Sequence, residues 1–146
     1  MKELFGKVIS NIYLSDDSTE IVFRGQDELH QDKSWSYDAV GDCCSHSWIE
    51  SIENPEHLID SVIIGIEEKP ETEDKSTVDD DDECIRVYGY TLKTARGYTD
   101  IEFRNSSNGY YGGDLEYRPD WEVTFKDGKA YLGKGILKSV FFTKDK

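Results

Sequence analysis

A chain of 146 residues fits one domain and buries enough surface, roughly two thirds of what it exposes unfolded, to need neither disulfide staples nor a structural metal. Its formal net charge of −14 disfavours direct binding to nucleic acid, because phosphate contacts need a dense basic footprint. No apolar run approaches membrane-spanning length and Leu4, Phe5, Val8 and Ile9 follow the start without a secretion signal's basic segment, so the expected location is the cytoplasm, where an odd count of three cysteines suits reduced thiols.

Along the chain, β-branched and aromatic residues recur with a period near two, which marks strands. Residues 6–14 form the first expected strand, with Val8, Asn11 and Tyr13 out of strict phase. Ser15-Asp16-Asp17-Ser18 reads as a turn whose side chains cap their own backbone, and residues 19–24 return as the second strand. After a polar stretch at 25–33, Trp35, Tyr37 and Ala39 alternate with Ser34, Ser36 and Asp38 in a third. Between 45 and 59 the pattern loosens into short helical turns carrying Trp48, Ile49 and Ile52. Asn54-Pro55-Glu56 is a helix start, with Asn as the cap, Pro at a position that has no N–H to lose, and Glu at the positive end of the dipole. That helix must be short, since residues 61–66 again read as strand.

The charge is concentrated in one place. Residues 66–83 hold ten acidic side chains against Lys69 and Lys75, so this stretch carries −8 and the remainder −6. Positions 67–83 have almost no apolar content and are expected to form a mobile acidic loop inserted between strands of a single domain spanning 1–146. Further strands follow at 84–92, 98–103, 115–117, 121–125 and 136–142. Ala95-Arg96-Gly97, Asn108-Gly109, Gly112-Gly113 and Asp127-Gly128 supply their turns. Beyond Tyr117 the balance turns to +3. The expected fold is mostly β, an antiparallel sandwich or partly open barrel of about eight to ten short strands with one or two short helices.

Three groups of residues carry possible chemistry. The first is Cys43, Cys44 and His46 with Cys84. In an extended chain Cys44 and His46 share a face, as a nucleophile and its base, as zinc ligands completed by Cys84, or simply as a turn with small buried thiols. The second is acidic: Glu71, Glu73, Asp74, Asp79, Asp80, Asp81, Asp82 and Glu83. This run neither alternates its oxygens nor supplies the glycine that a calcium loop requires, so it points to electrostatic contact with a basic partner. The third is Arg96, Arg104, Tyr110 and Tyr111, an aromatic and guanidinium set suited to an anionic small molecule or nucleotide. Phosphate-loop, dinucleotide, metalloprotease and nucleophile-elbow motifs are lacking, and no cofactor is expected.

Two strings belong together: Gly41-Asp42-Cys43-Cys44 onward to Ile52, and Tyr88-Gly89-Tyr90-Thr91-Leu92-Lys93-Thr94 through Arg96-Gly97-Tyr98-Thr99 to Ser107-Asn108-Gly109-Tyr110-Tyr111. Over residues 7–117 the chain resembles an uncharacterised family of small proteins common in bacteriophage and prophage genomes, with an Asp-Cys-Cys element, a variable acidic stretch and a closing S-N-G-Y-Y. Ser45 stands where an acidic residue often follows the cysteines. The resemblance brings no activity; it implies a mobile-element protein that interferes with host machinery. The leading expectation is therefore a non-enzymatic binding protein acting in the host cytoplasm, an inhibitor presenting acid to a host defence protein with a basic surface. The alternatives are a nucleotide-sequestering protein using the third group, and a Cys/His enzyme or zinc module using the first.

Overall fold

The computed structural model describes residues 1–41, 45–74, 84–107, 112–133 and 135–141. It is mostly β, as the periodicity implies, with antiparallel sheets and only short 3-10 turns as helix. The strands are β1 (Val8–Ser15), β2 (Glu20–Gln26), β3 (Asp32–Gly41), β4 (His46–Glu53), β5 (Gly65–Asp74), β6 (Cys84–Thr94), β7 (Gly97–Ser107), β8 (Gly113–Tyr117), β9 (Val123–Lys126), β10 (Lys129–Leu132) and β11 (Gly135–Ser139). They form a curled seven-stranded sheet in the order β8-β3-β2-β1-β11-β10-β9 and a four-stranded sheet in the order β4-β7-β6-β5. Ile12, Phe23 and Tyr37 from the first sheet share one buried cluster with Ile49, Leu92, Ile101 and Phe103 from the second.

Irregular sequence periodicity has a common structural cause, the β-bulge. In β1 the register shifts between Ile9 and Asn11, so Ile9 and Ile12 are both fully buried in the main core while Tyr13 packs on the opposite side with Val22, Ala130 and Leu137. The same device corrects the expectation of helical turns at 45–59. Residues 46–53 are strand β4, and a shift between Ile49 and Ser51 sets Ile49 opposite Phe103 and Ile52 opposite Ile101. Spacings of one and three, which read as helical, are those of a strand with one extra residue.

Asn54 is not a side-chain cap. It takes a left-handed conformation (φ 56°, ψ 47°) without a capping hydrogen bond, and a single 3-10 turn follows at Pro55–Leu58, which drives Leu58 into the core. Residues 61–66 are not a strand of their own: Val62 makes an isolated bridge to Val8, and β5 starts at Gly65. The largest correction concerns the acidic stretch. Residues 67–74, expected as loop, belong to β5, an edge strand paired with β6 along its length. An edge strand does not need an apolar face when its neighbour supplies the backbone ladder and opposite charges stand across it, here Lys93 to Glu67 (2.8 Å) and Arg86 to Glu71 (2.7 Å). Pro70 falls inside the register shift between Lys69 and Thr72, where a missing N–H costs no ladder bond. Residues 75–83 lie outside the described residues.

The other expected strands are present with shifted ends, and β10, which was not foreseen, forms a short hairpin with β9 across Asp127-Gly128. The Ser15 turn is built as its sequence implies: the Thr19 N–H donates to Ser15 Oγ (3.1 Å) and to Asp17 Oδ1 (3.2 Å).

Candidate functional site

Among the described residues the structure separates His46 from Cys84 and Arg96 from Arg104, and keeps Glu71, Glu73 and Asp74 together on β5. Glu71 and Glu73 lie on β5; Glu71 accepts from Arg86, and Glu73 accepts from the Cys84 thiol (3.2 Å). Asp74 ends the strand opposite Ile85, and Asp79, Asp80, Asp81, Asp82 and Glu83 are outside the described residues. Arg96 sits in the β6–β7 turn and donates to the Ile59 carbonyl (2.6 Å). Arg104 lies eight residues further on and donates to Glu102 Oε1 (3.3 Å). Eight residues of strand span about 26 Å, too far for both guanidiniums to hold one small ligand. Tyr110 and Tyr111 are outside the described residues.

Cys43 and Cys44 also lie outside them. His46 is exposed and stacks on Trp48 (centroids 5.5 Å apart). It pairs with Ser106 whereas Cys84 pairs with Ser107, which puts His46 and Cys84 on opposite faces of the sheet. The hydrogen bond to Glu73, then burial, push the Cys84 thiol up, the reverse of what an activated nucleophile needs. Among the described residues no group of three or more His, Cys, Asp or Glu side chains is placed to hold a metal ion.

What the fold does bring together is a cleft at the seam of the two sheets. Among the described strands β8 is the last of its sheet, and its outer edge looks at tyrosines on the inner face of β6. Tyr88 and Tyr90 both stack on Phe103 (centroids 5.1 and 6.2 Å). Their hydroxyls reach the edge: the Gly113 N–H donates to Tyr88 Oη (3.4 Å), and Tyr90 Oη donates to Asp114 Oδ1 (3.5 Å). Beside them opens a cavity of about 370 Å³ whose acids are Glu3, Glu68, Asp114 and Glu116 and whose apolar walls include Ile66, Leu115, Tyr90 and Tyr117. A second, of about 500 Å³, continues past Asp114 and Glu116 to Val40, Gly112 and Arg118.

The electrostatics follow from burial beside carboxylates. Burial alone raises the Glu3 carboxyl, but its backbone hydrogen bond, the Met1 ammonium and the Tyr37 hydroxyl outweigh it, so Glu3 stays ionised below the usual range. Tyr37 is fully buried and donates to Glu3 Oε1 (3.0 Å); burial and that carboxylate push its phenol far up. Tyr90 is pushed up to about 12, first by burial and then by Asp114. The seam is thus lined mainly by carboxylates, with Lys2, the Met1 ammonium and Arg118 among them, beside the raised phenols of Tyr37 and Tyr90. Its members stand at 3, 66, 68, 90, 114 and 116, and no local pattern in the sequence could have joined them.

A polar knot closes one end of the seam and unites the two unusual strings. Gly41, which precedes Asp-Cys-Cys, pairs with Gly113, which follows S-N-G-Y-Y. Beneath that pair lies Asn105, fully buried, whose Nδ2 donates to Ser47 Oγ (2.9 Å) and Ser45 Oγ (3.1 Å). Glycine lets the two strands close over this polar group, because a Cβ on Gly113 would strike Ser47 Oγ and one on Gly41 would come within 2.7 Å of Asn105 Nδ2 unless those side chains shift. Asn105 Oδ1 is buried without a hydrogen-bond partner among the described residues.

A family model described as "Domain of unknown function (DUF7448)" matches residues 2–117. The chain belongs to that family. The match stops at the end of β8, so the matched segment spans β1 to β8, while β9, β10 and β11 lie beyond it. No curated protein and no solved structure matches the chain. No helix among the described residues is long and apolar enough to cross a membrane.

Proposed function

We propose that this chain is a non-enzymatic binding protein that offers an acidic face to a basic partner protein. The observation that carries the reading is the seam: a cavity whose charged lining is mainly carboxylate, floored by tyrosine rings, beside an edge strand bearing Glu67, Glu68 and Glu71. Aromatic faces with carboxylates beside them suit lysine ammonium and arginine guanidinium groups. A net charge of −14 extends that selectivity to long range, since opposite fields speed encounter and suppress wrong partners.

The family resemblance supplies the biological side of the proposal, a phage or mobile-element protein that occupies the basic, nucleic-acid-binding surface of a host defence protein in the host cytoplasm. The test is a titration of the purified protein against fluorescein-labelled lysine-rich and glutamate-rich peptides of equal length across a salt series. Binding of the lysine-rich peptide alone, weakening steadily with salt, is the expected result. Equal affinity for both peptides, or none for either at low salt, overturns the proposal.

A further inference from the structure

We propose that the seam is a docking groove for an extended, lysine- or arginine-bearing segment of the partner, which adds to the edge of β8 that no described strand pairs with, as a new antiparallel or parallel strand. This rests on the acidic-binding reading and gives its contact a place and a backbone geometry. In β8 the residues alternate. The Arg118 N–H bonds back to Ser36 on β3, while the N–H groups of Gly113 and Leu115 turn away from β3. Ladder alternation puts the Tyr117 N–H and the carbonyls of Gly113, Leu115 and Tyr117 on the same outward edge.

The two donors bond to side chains of this chain. Leu115 N–H bonds to Asp114 Oδ1 (2.8 Å), and Gly113 N–H makes a long bond to Tyr88 Oη (3.4 Å). A charged side chain folded over an edge amide is how an edge is kept from pairing with the wrong strand. The same contact is readily exchanged, because an incoming carbonyl takes the Leu115 N–H while the released Asp114 carboxylate turns to an incoming cation.

Shape and sign agree with that occupant. β8 is five residues long, which is about 17 Å of strand. The 370 Å³ cavity along it falls at the lower end of the roughly 300–1,000 Å³ range of ligand pockets. Asp114 and Glu116 are exposed on one face of β8, and Leu115 lies on the other, buried. Directly opposed side chains on a shared face interact, so the added strand carries Lys or Arg opposite Asp114, a polar residue opposite Glu116, which is already bridged to Arg118 (2.8 Å), and apolar residues opposite Leu115 and Tyr117. A second copy of this chain is a poor occupant, since pairing β8 with itself sets acid against acid.

The experiment uses the full chain and a labelled peptide of about nine alternating Lys and Val residues, in three forms: unmodified, and N-methylated at alternate positions in each of the two phases. Anisotropy gives affinity and stopped flow gives rates. The expected result is that one methylated phase binds at least about tenfold more weakly and the other about as well as the unmodified peptide, because only one phase turns its N–H groups toward β8. Asp114→Asn raises the dissociation constant about fivefold through faster release, whereas Glu67→Gln with Glu71→Gln mainly slows association. Equal effects of the two phases, or a β5 double variant that releases the peptide as fast as Asp114→Asn does, overturn the groove and leave the acidic reading standing. Failure of the unmodified peptide to bind at low salt overturns both.

Discussion

Replacing Tyr37 by Phe isolates one interaction on which the seam depends. The ring keeps its edge contact with Phe23 (5.8 Å) and its contact with Tyr117 (5.4 Å), so only the hydroxyl bond to Glu3 is lost. Glu3 retains the Met1 ammonium at 3.4 Å. A hydrogen bond to a charged group contributes about 1.5–3 kcal/mol and a neutral one about 0.5–1.5 kcal/mol. At neutral pH, Tyr37→Phe should therefore cost about 1.5–3 kcal/mol, or roughly 3–12 °C in Tm for a chain of this size. The pH dependence gives the discriminating sign. The Glu3 pKa is lowered from 4.5 in the folded protein, so its ionised form adds stability above that value, and this is lost as pH falls through the folded pKa. Tyr37→Phe removes one of the causes of lowering, so as pH falls below the unfolded value the variant loses less of this stability than the parent protein does. Once Glu3 is protonated in both proteins, the gap between them narrows to the neutral-bond figure. Urea unfolding at neutral pH and at about pH 3 measures both. Equal midpoints at neutral pH, or a gap as wide in acid, would refute the role given to this bond.

Three further outcomes follow from the same packing. A Cβ on Gly25 would strike the Val8 carbonyl and come within 2.9 Å of Ile9 Cα; these are backbone atoms of the β1 bulge, so Gly25→Ala should cost about 3 kcal/mol or more. Gly113→Ala, which meets the Ser47 hydroxyl and Asn105 Cβ (3.0 Å), should cost less, and thermal melts that rank the two the other way would contradict this account of the bulge. A chain ending at Tyr117 loses Ala130 and Leu137 from over Tyr13 and Val22, exposing two side chains at about 1.5–3 kcal/mol each together with the β1 edge. It should melt lower and self-associate in size-exclusion chromatography, and an equally stable monomer would show β9, β10 and β11 to be dispensable. Tyr90, raised from 10.0 to about 12, adds stability below its unfolded pKa that is lost as pH rises through the folded value. Tyr90→Phe should therefore flatten the alkaline fall in Tm between those limits, and an unchanged slope would count against its burial beside Asp114.

Local periodicity made much of the fold legible. β7 was readable because burial alternates along it without interruption from Thr99 to Ser107, and the Ser15 turn because its hydrogen bonds stay within five residues. β4 was not, because one inserted residue between Ile49 and Ser51 moves the apolar positions off the period of two. β5 was hidden for another reason: its stability comes from the β6 ladder and from Lys93 and Arg86 across it, and an apolar pattern records neither.

The candidate site shows the same division more sharply. Composition and charge position by themselves determined that this is a β protein whose acids gather in one region, and two unusual strings marked the ends of the knot around Asn105. Only the tertiary structure decided that Glu3, Glu68, Asp114 and Glu116 line one cleft, that Arg96 and Arg104 are a strand's length apart, and that β8, the last of the described strands in its sheet, turns its outer edge to Tyr88 and Tyr90. Strand order is set by which apolar faces bury each other across long loops, and that long-range choice leaves no local period in the chain.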